Sequence, residues 1–124
     1  MKISGNSIRA FMGSKDYKVS RRFYTDLGFE EIVTSERMSY FHIGAFGLYL
    51  QDAYVKDWVD NTMIFFEVVD LEGTLKYIQN LKLTEKYERV KLSKIVCNDW
   101  GNEFFLHDPS GILWHFGNFN PGIL

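Results

Sequence analysis

Four side chains able to do acid–base or electrostatic chemistry sit inside runs that are otherwise large and apolar. They are Arg9 in residues 7–12, His42 in 37–43, Glu67 in 63–68 and His115 in 112–116. Imidazole exchanges a proton near neutral pH and ligates metals, a carboxylate accepts protons, and a guanidinium holds anions or polarises an oxygen. Glu67 as a general base with Arg9 as its electrophilic partner is one use of this set, and an Arg9–Glu67 ion pair is the other. The single Cys97 has no Cys or His at ligand spacing and reads as a buried or strand thiol without a disulfide partner.

These groups need a scaffold that brings them to one surface. Residues 7–12 have strand character. Asp16 is an N-cap candidate for a helix over 17–27, in which Val19, Phe23, Tyr24 and Leu27 share a face and Gly28 follows as the C′ residue. Strands are predicted over 29–33, 37–43 and 48–51, with Gly44-Ala45-Phe46-Gly47 as a turn. Residues 52–61 form a polar connector, in which Trp58 caps a sheet edge or meets a second subunit. The order then repeats. A strand over 63–68 leads to Asp70 as N-cap, a helix over 71–81, strand-like segments over 82–88 and 90–97, and a hairpin of 103–107 and 112–116. Asp108-Pro109-Ser110-Gly111 is its turn.

A shift of 54 carries Asp16 onto Asp70 and Phe23 onto Tyr77, and a shift of 64 carries Gly47 onto Gly111 and Gln51 onto His115. The expectation is an α+β protein, one domain over 1–124. Two βαβββ repeats (about 1–52 and 62–124, joined by 53–61) form a curved, mostly antiparallel, barrel-like sheet with helices outside.

Alternation assigns the faces. A turn at 44–47 pairs His42 with Tyr49 and Tyr40 with Gln51, opposite an apolar face of Phe41, Ile43, Leu48 and Leu50. The last hairpin pairs Phe104 with His115 and Leu106 with Leu113 on the inner face, leaving Phe105, His107, Ile112 and Trp114 to the helices. Arg9, Phe11, Met63, Phe65 and Glu67 join the inner face, while Ile8 and Ala10 pack outward. A cup lined by aromatic rings and a few polar anchors, with Trp100 at its rim, suits a small molecule. Arg9, Gln51, Glu67 and His115 would be costly in a dry core.

Other classes are excluded by composition. A net charge of −2 offers no basic excess for nucleic acid. No run approaches the ~18 apolar residues of a membrane span, and no signal-type apolar segment opens the chain. The expectation is a soluble cytoplasmic protein with neither nucleic-acid nor membrane partner.

Two runs carry a likeness. Asp16…Phe23-Tyr24-Thr25-Asp26-Leu27-Gly28-Phe29 is the first, and Asp99-Trp100-Gly101…Glu103-Phe104…Asp108-Pro109-Ser110-Gly111…Phe116-Gly117 is the second. Together they resemble the vicinal-oxygen-chelate superfamily, the glyoxalase, bleomycin-resistance and extradiol-dioxygenase group, over essentially the whole chain. The second run looks most like the bleomycin-resistance-like branch. In metal-dependent members, as the resemblance implies, four ligands, typically His or Glu, come from equivalent positions on the first and last strands of each repeat. Here those positions are Arg9, Gln51, Met63 and His115. Only His115 is an ordinary ligand; Gln51 is a weak oxygen donor, Met63 suits soft metals, and Arg9 repels a cation.

The resemblance therefore implies a metal-free homodimer, without a cofactor, that sequesters an aromatic or amphipathic small molecule. Its ligand-binding residues would be Arg9, Phe11, Tyr40, His42, Tyr49, Gln51, Met63, Phe65, Glu67, Trp100, Phe104 and His115. The alternatives are a metal-dependent glyoxalase- or dioxygenase-like enzyme, and an interaction domain whose cup is filled by its own side chains.

Overall fold

The computed structural model describes residues 2–123. The first half of the chain forms β1 (Phe11–Met12), α1 (Tyr17–Leu27), β2 (Glu30–Ser35), β3 (Met38–Ile43) and β4 (Phe46–Gln51). After α2 (Lys56–Asp60) come β5 (Met63–Glu67), α3 (Leu71–Leu81) and a single turn, α4 (Leu83–Lys86). The chain ends with β6 (Lys91–Leu92), β7 (Val96–Cys97), β8 (Gly101–His107) and β9 (Leu113–Phe119). Two sheets share one spatial order, β1-β4-β3-β2 and β5-β9-β8-β6, with β7 also pairing β8. In each, the first strand runs parallel to the last and the remaining pairs are antiparallel. The βαβββ unit thus repeats in space as well as in order. The architecture is α+β, and the sheets do not close into a barrel over the described residues.

Both long helices occupy the spans their sequences predict, because their ends are set locally. Asp16 accepts a hydrogen bond from the Val19 N–H at 3.2 Å and Asp70 one from the Gly73 N–H at 3.0 Å, each satisfying a free donor of a first turn. Two segments differ from expectation. Lys82 adopts a left-handed conformation (φ 58°), which ends α3 and starts α4, so 82–88 is not a strand; buried Leu83 anchors it instead. The strand expected over 7–12 keeps only Phe11 and Met12, and Ile8 packs against nothing but stands fully exposed.

The helix-facing sides of the two sheets meet in one core. Phe41, Leu48 and Leu50 come from the first, and Phe104, Leu106 and Trp114 from the second. Tyr24 of α1 lies between them, 5.8 Å from both the Phe41 and the Trp114 rings. The inner stripe of α1 runs through Ser20, with Val19 only partly covered; the Ser20 hydroxyl meets that of Ser110 at 3.3 Å, so its burial leaves no orphan.

The β8–β9 turn is tied into this core. Asp108 is fully buried, and its Oδ1 accepts from the N–H groups of Ser110, Gly111 and Ile112 at 2.8, 2.9 and 2.9 Å. Its Oδ2 accepts from the Tyr24 hydroxyl at 2.7 Å, and the Trp114 indole donates to that hydroxyl at 2.9 Å. Burial, followed by the nearby Asp108 charge, pushes the Tyr24 hydroxyl well above the usual tyrosine range, which keeps it a donor.

Because this turn also includes Ile112, the pairing differs by one residue from expectation. Phe105 lies opposite His115, Leu106 opposite Trp114, and Phe104 opposite Phe116. A one-residue slip reverses every side chain of a strand. Phe104 and Leu106, expected on the inner face, are therefore fully buried in the core, while Phe105 and His107 share the face of His115. The β3–β4 hairpin turns at Gly44-Ala45 and pairs Tyr40 with Tyr49. That slip is of two residues, so its faces stay as expected.

Alanine substitution separates the two registers. Phe104→Ala should cost ~3–5 kcal/mol in urea unfolding, as for a core phenylalanine, and Phe105→Ala less than half as much. The reverse ranking would refute the observed pairing.

Candidate functional site

In the first sheet, parallel pairing sets Phe11 opposite Tyr49, and their rings stack at 5.0 Å. Arg9, just ahead of β1, lays its guanidinium 3.9 Å from the centre of the Tyr40 ring and donates to the Tyr49 hydroxyl at 3.0 Å. The Tyr40 ring lies flat over Gly47, where a Cβ would stand 2.4 Å from it. His42 stacks on Tyr40 at 5.3 Å; its Nδ1 meets the Gly44 carbonyl oxygen at 3.0 Å, and its Nε2 is 3.6 Å from Glu30. Gln51 borders a groove of about 350 Å³ with Phe11, Val55 and Trp58. Arg9 retains N–H donors that the tyrosines do not use, so this cluster can hold a carboxylate or another anion against an aromatic plate.

In the second sheet, Phe65 lies opposite His115, Met63 opposite Leu113 and Glu67 opposite Gly117. The Phe65 ring covers Gly117, where a Cβ would come within 2.7 Å of it. Trp100 and Phe119 pack on the same ring at 5.8 and 5.4 Å, and Phe105 meets the His115 imidazole edge-on at 5.0 Å. His115 Nδ1 is 2.7 Å from Glu103 Oε1, and the other Glu103 oxygen accepts from the Asn98 amide at 2.8 Å. The Asn98–Gly101 turn, closed by a 2.7 Å bond from the Asn98 N–H to the Gly101 carbonyl, thus presents Trp100 to Phe65 and Asn98 to Glu103.

The expected site residues fall into two groups. Arg9, Phe11, Tyr40, His42, Tyr49 and Gln51 lie on or beside the first sheet, and Met63, Phe65, Glu67, Trp100 and His115 on or beside the second; Phe104 belongs to the core. Arg9 is engaged by the two tyrosines while Glu67 is exposed, so neither the ion pair nor the acid–base pair forms among the described residues. A groove of about 370 Å³ runs between the sheets, walled by Phe46 and Leu48 on one side and Phe65 and Glu67 on the other. Glu103, Asn98, Phe105 and Phe119 were not expected at a site. Only the register of the last hairpin reveals the first three, and it depends on how Asp108 closes the turn.

Register also corrects the repeat. Phe11 faces Tyr49 as Phe65 faces His115, so the counterpart of His115 is Tyr49, at a shift of 66, and not Gln51. A metal ring at Arg9, Tyr49, Met63 and His115 would offer one imidazole, a phenol and a thioether beside a fixed cation. Among the described residues, no three His, Cys, Asp or Glu side chains converge elsewhere. The donors do not fit a divalent ion.

Solved structures share this fold. The bleomycin-binding protein from bleomycin-producing Streptomyces verticillus, complexed with copper(II)-bleomycin, aligns with a TM-score of 0.78 at 20% identity, over 97% of this chain and 99% of that one. A fosfomycin resistance protein from Listeria monocytogenes, complexed with Mn(II) and sulfate, gives 0.72 at 17% identity over 97% and 94%. A glyoxylase/bleomycin resistance protein/dioxygenase domain from Frankia gives 0.70 at 17% identity over 96% and 100%. No family profile and no curated protein sequence matches the chain. The chain has the fold of the vicinal-oxygen-chelate group that its motifs resemble.

Gly117→Ala should displace the Phe65 ring, lowering stability by ~1–2 kcal/mol and weakening the near-UV circular dichroism of the Phe65–Trp100–Phe119 cluster. Gly5→Ala, with nothing within 4 Å, serves as control and should change neither. An unaltered aromatic signal in Gly117→Ala would refute the close packing of Phe65 on bare backbone.

Proposed function

We propose that this chain is a metal-free small-molecule-binding protein, a single domain over 1–124, acting as a cytoplasmic homodimer. It sequesters an aromatic or amphipathic ligand on the polar-aromatic faces of its sheets. Arg9, Phe11, Tyr40, His42, Tyr49 and Gln51 serve on one face, with Met63, Phe65, Glu67, Trp100 and His115 on the other. The observation that carries this reading is a set of large apolar side chains left in the open beside polar anchors. Phe11, Phe65 and Met63 are 58%, 42% and 65% exposed, in a chain whose core is otherwise well covered. Exposed Ile8, Phe46 and Trp58 support a second copy of the chain as part of the cover. The single cysteine, free and exposed, suits a reducing compartment, and no helix of the described residues is long and apolar enough to cross a membrane. Bleomycin-binding proteins among the similar structures support sequestration.

Tryptophan fluorescence tests the binding reading. Trp100 stands beside Phe65, whereas Trp114 is buried. A cationic, an anionic and a neutral aromatic probe should include at least one that quenches saturably, with the signal reduced in Trp100→Phe. His115→Ala should weaken that binding more than it weakens folding. Failure of all three probes would overturn the proposal in favour of an interaction domain. Light scattering should give twice the 14.6 kDa chain mass; a monomer would remove the dimer. Elemental analysis of protein purified without chelator should find no stoichiometric divalent metal, and one ion per chain would revive the enzyme.

A further inference from the structure

The geometry points to Glu103 and His115 as a proton-accepting dyad beside the Phe65–Trp100 aromatic wall, selecting planar ligands that carry an acidic ring hydroxyl. This rests on the small-molecule-binding reading and deepens it by naming the ligand class.

Glu103 is only 8% exposed, and its two oxygens are taken by the Asn98 amide and the His115 ring. Beside a carboxylate oxygen, Nδ1 of His115 is the nitrogen that carries the hydrogen, and the lone pair of a neutral ring then lies at Nε2. Among the described residues nothing bonds Nε2, yet no buried side-chain nitrogen or oxygen lacks a partner. Nε2 therefore opens to solvent. His42 offers the contrast, with its Nδ1 at a carbonyl oxygen and its Nε2 turned toward Glu30.

What surrounds the open nitrogen is aromatic. The Phe65 ring lies at 26° to the imidazole plane with centres 6.3 Å apart, Phe105 closes the other side edge-on, and Trp100 continues the Phe65 wall. Gly117 stands opposite Glu103, and its bare backbone leaves room for the Phe65 ring. An aromatic ligand on the Phe65 wall brings a hydroxyl at its edge toward Nε2. The hydroxyl proton passes to Nε2, the O–H bonding pair stays on oxygen, and the product is an aryl oxyanion beside an imidazolium. Glu103, largely removed from water, stabilises that imidazolium. His115 touches the ligand; Glu103 and Asn98 are positioning residues.

The test pairs 4-nitrophenol with 4-nitroanisole, which keeps the ring and the oxygen but has no proton to give. Calorimetry should show the phenol binding about tenfold tighter, the size of one good hydrogen bond. At a pH below the free phenol's pKa, the bound probe should show the phenolate absorption band. His115→Phe should remove both the preference and the band, so that the two probes bind alike. Glu103→Gln, which keeps the size and the Asn98 contact, should weaken the band. Nitrogen-15 shifts of wild-type His115 should report the Nδ1–H tautomer, a readout independent of any variant's folding. Equal affinity for the two probes, no band, or the opposite tautomer would overturn the dyad while leaving the binding reading standing. Binding of neither probe would overturn the dyad, and the binding reading would fall with it if the cationic, anionic and neutral aromatic probes also fail.

Discussion

Asp108 collects three N–H groups of its own turn on one carboxylate oxygen and the Tyr24 hydroxyl on the other, and the register of β8 against β9 follows from that arrangement. Left without the carboxylate, the buried Ser110 and Ile112 N–H groups and the Tyr24 hydroxyl would each cost about 1–3 kcal/mol, which makes any other turn length a poor competitor. Tyr24 also receives the Trp114 indole, so the same group binds the first helix to the last strand. Helix position, turn length and strand register are thus one interaction and not three.

That register sorts the aromatic residues of the last hairpin between two tasks. Phe104, Leu106, Trp114 and Phe116 go to the shared core, and Glu103, Phe105 and His115 to the opposite face. The two sheets then differ in what they offer. Tyr49 and His115 hold equivalent places beside Phe11 and Phe65, but around Tyr49 the chemistry is that of a donor, Arg9, while around His115 it is that of an acceptor pair. One scaffold, used twice, carries opposite polarity.

Much of this was legible in the sequence, and the divide between what was and was not is physical. Helix ends are local: Asp16 and Asp70 cap within three residues, so both spans could be read directly. Strand faces survive errors of even size, which is why Tyr40, His42 and Tyr49 fell together although their hairpin was displaced by two residues. An error of one residue is not forgiven. Asp-Pro-Ser-Gly reads as a four-residue turn, and nothing local says that a tertiary bond to Tyr24 will hold the carboxylate where it also captures the Ile112 N–H. Phe104 was misplaced for that reason, and Glu103 was passed over for the same one. The left-handed Lys82, which converts an expected strand into a helical turn, likewise has no glycine or proline to announce it.

Since the helix sides of both sheets are consumed by one core, the opposite sides take little part in holding the chain together. Phe11, Met63 and Phe65 stand largely outside the packing that keeps Trp114 and Tyr24 in place. Neighbouring positions of a single strand are therefore subject to different selection. One is constrained by packing, and the next by whatever it is required to recognise. Structures that agree over nearly their whole length while sharing at most a fifth of their residues are what such a division would leave behind.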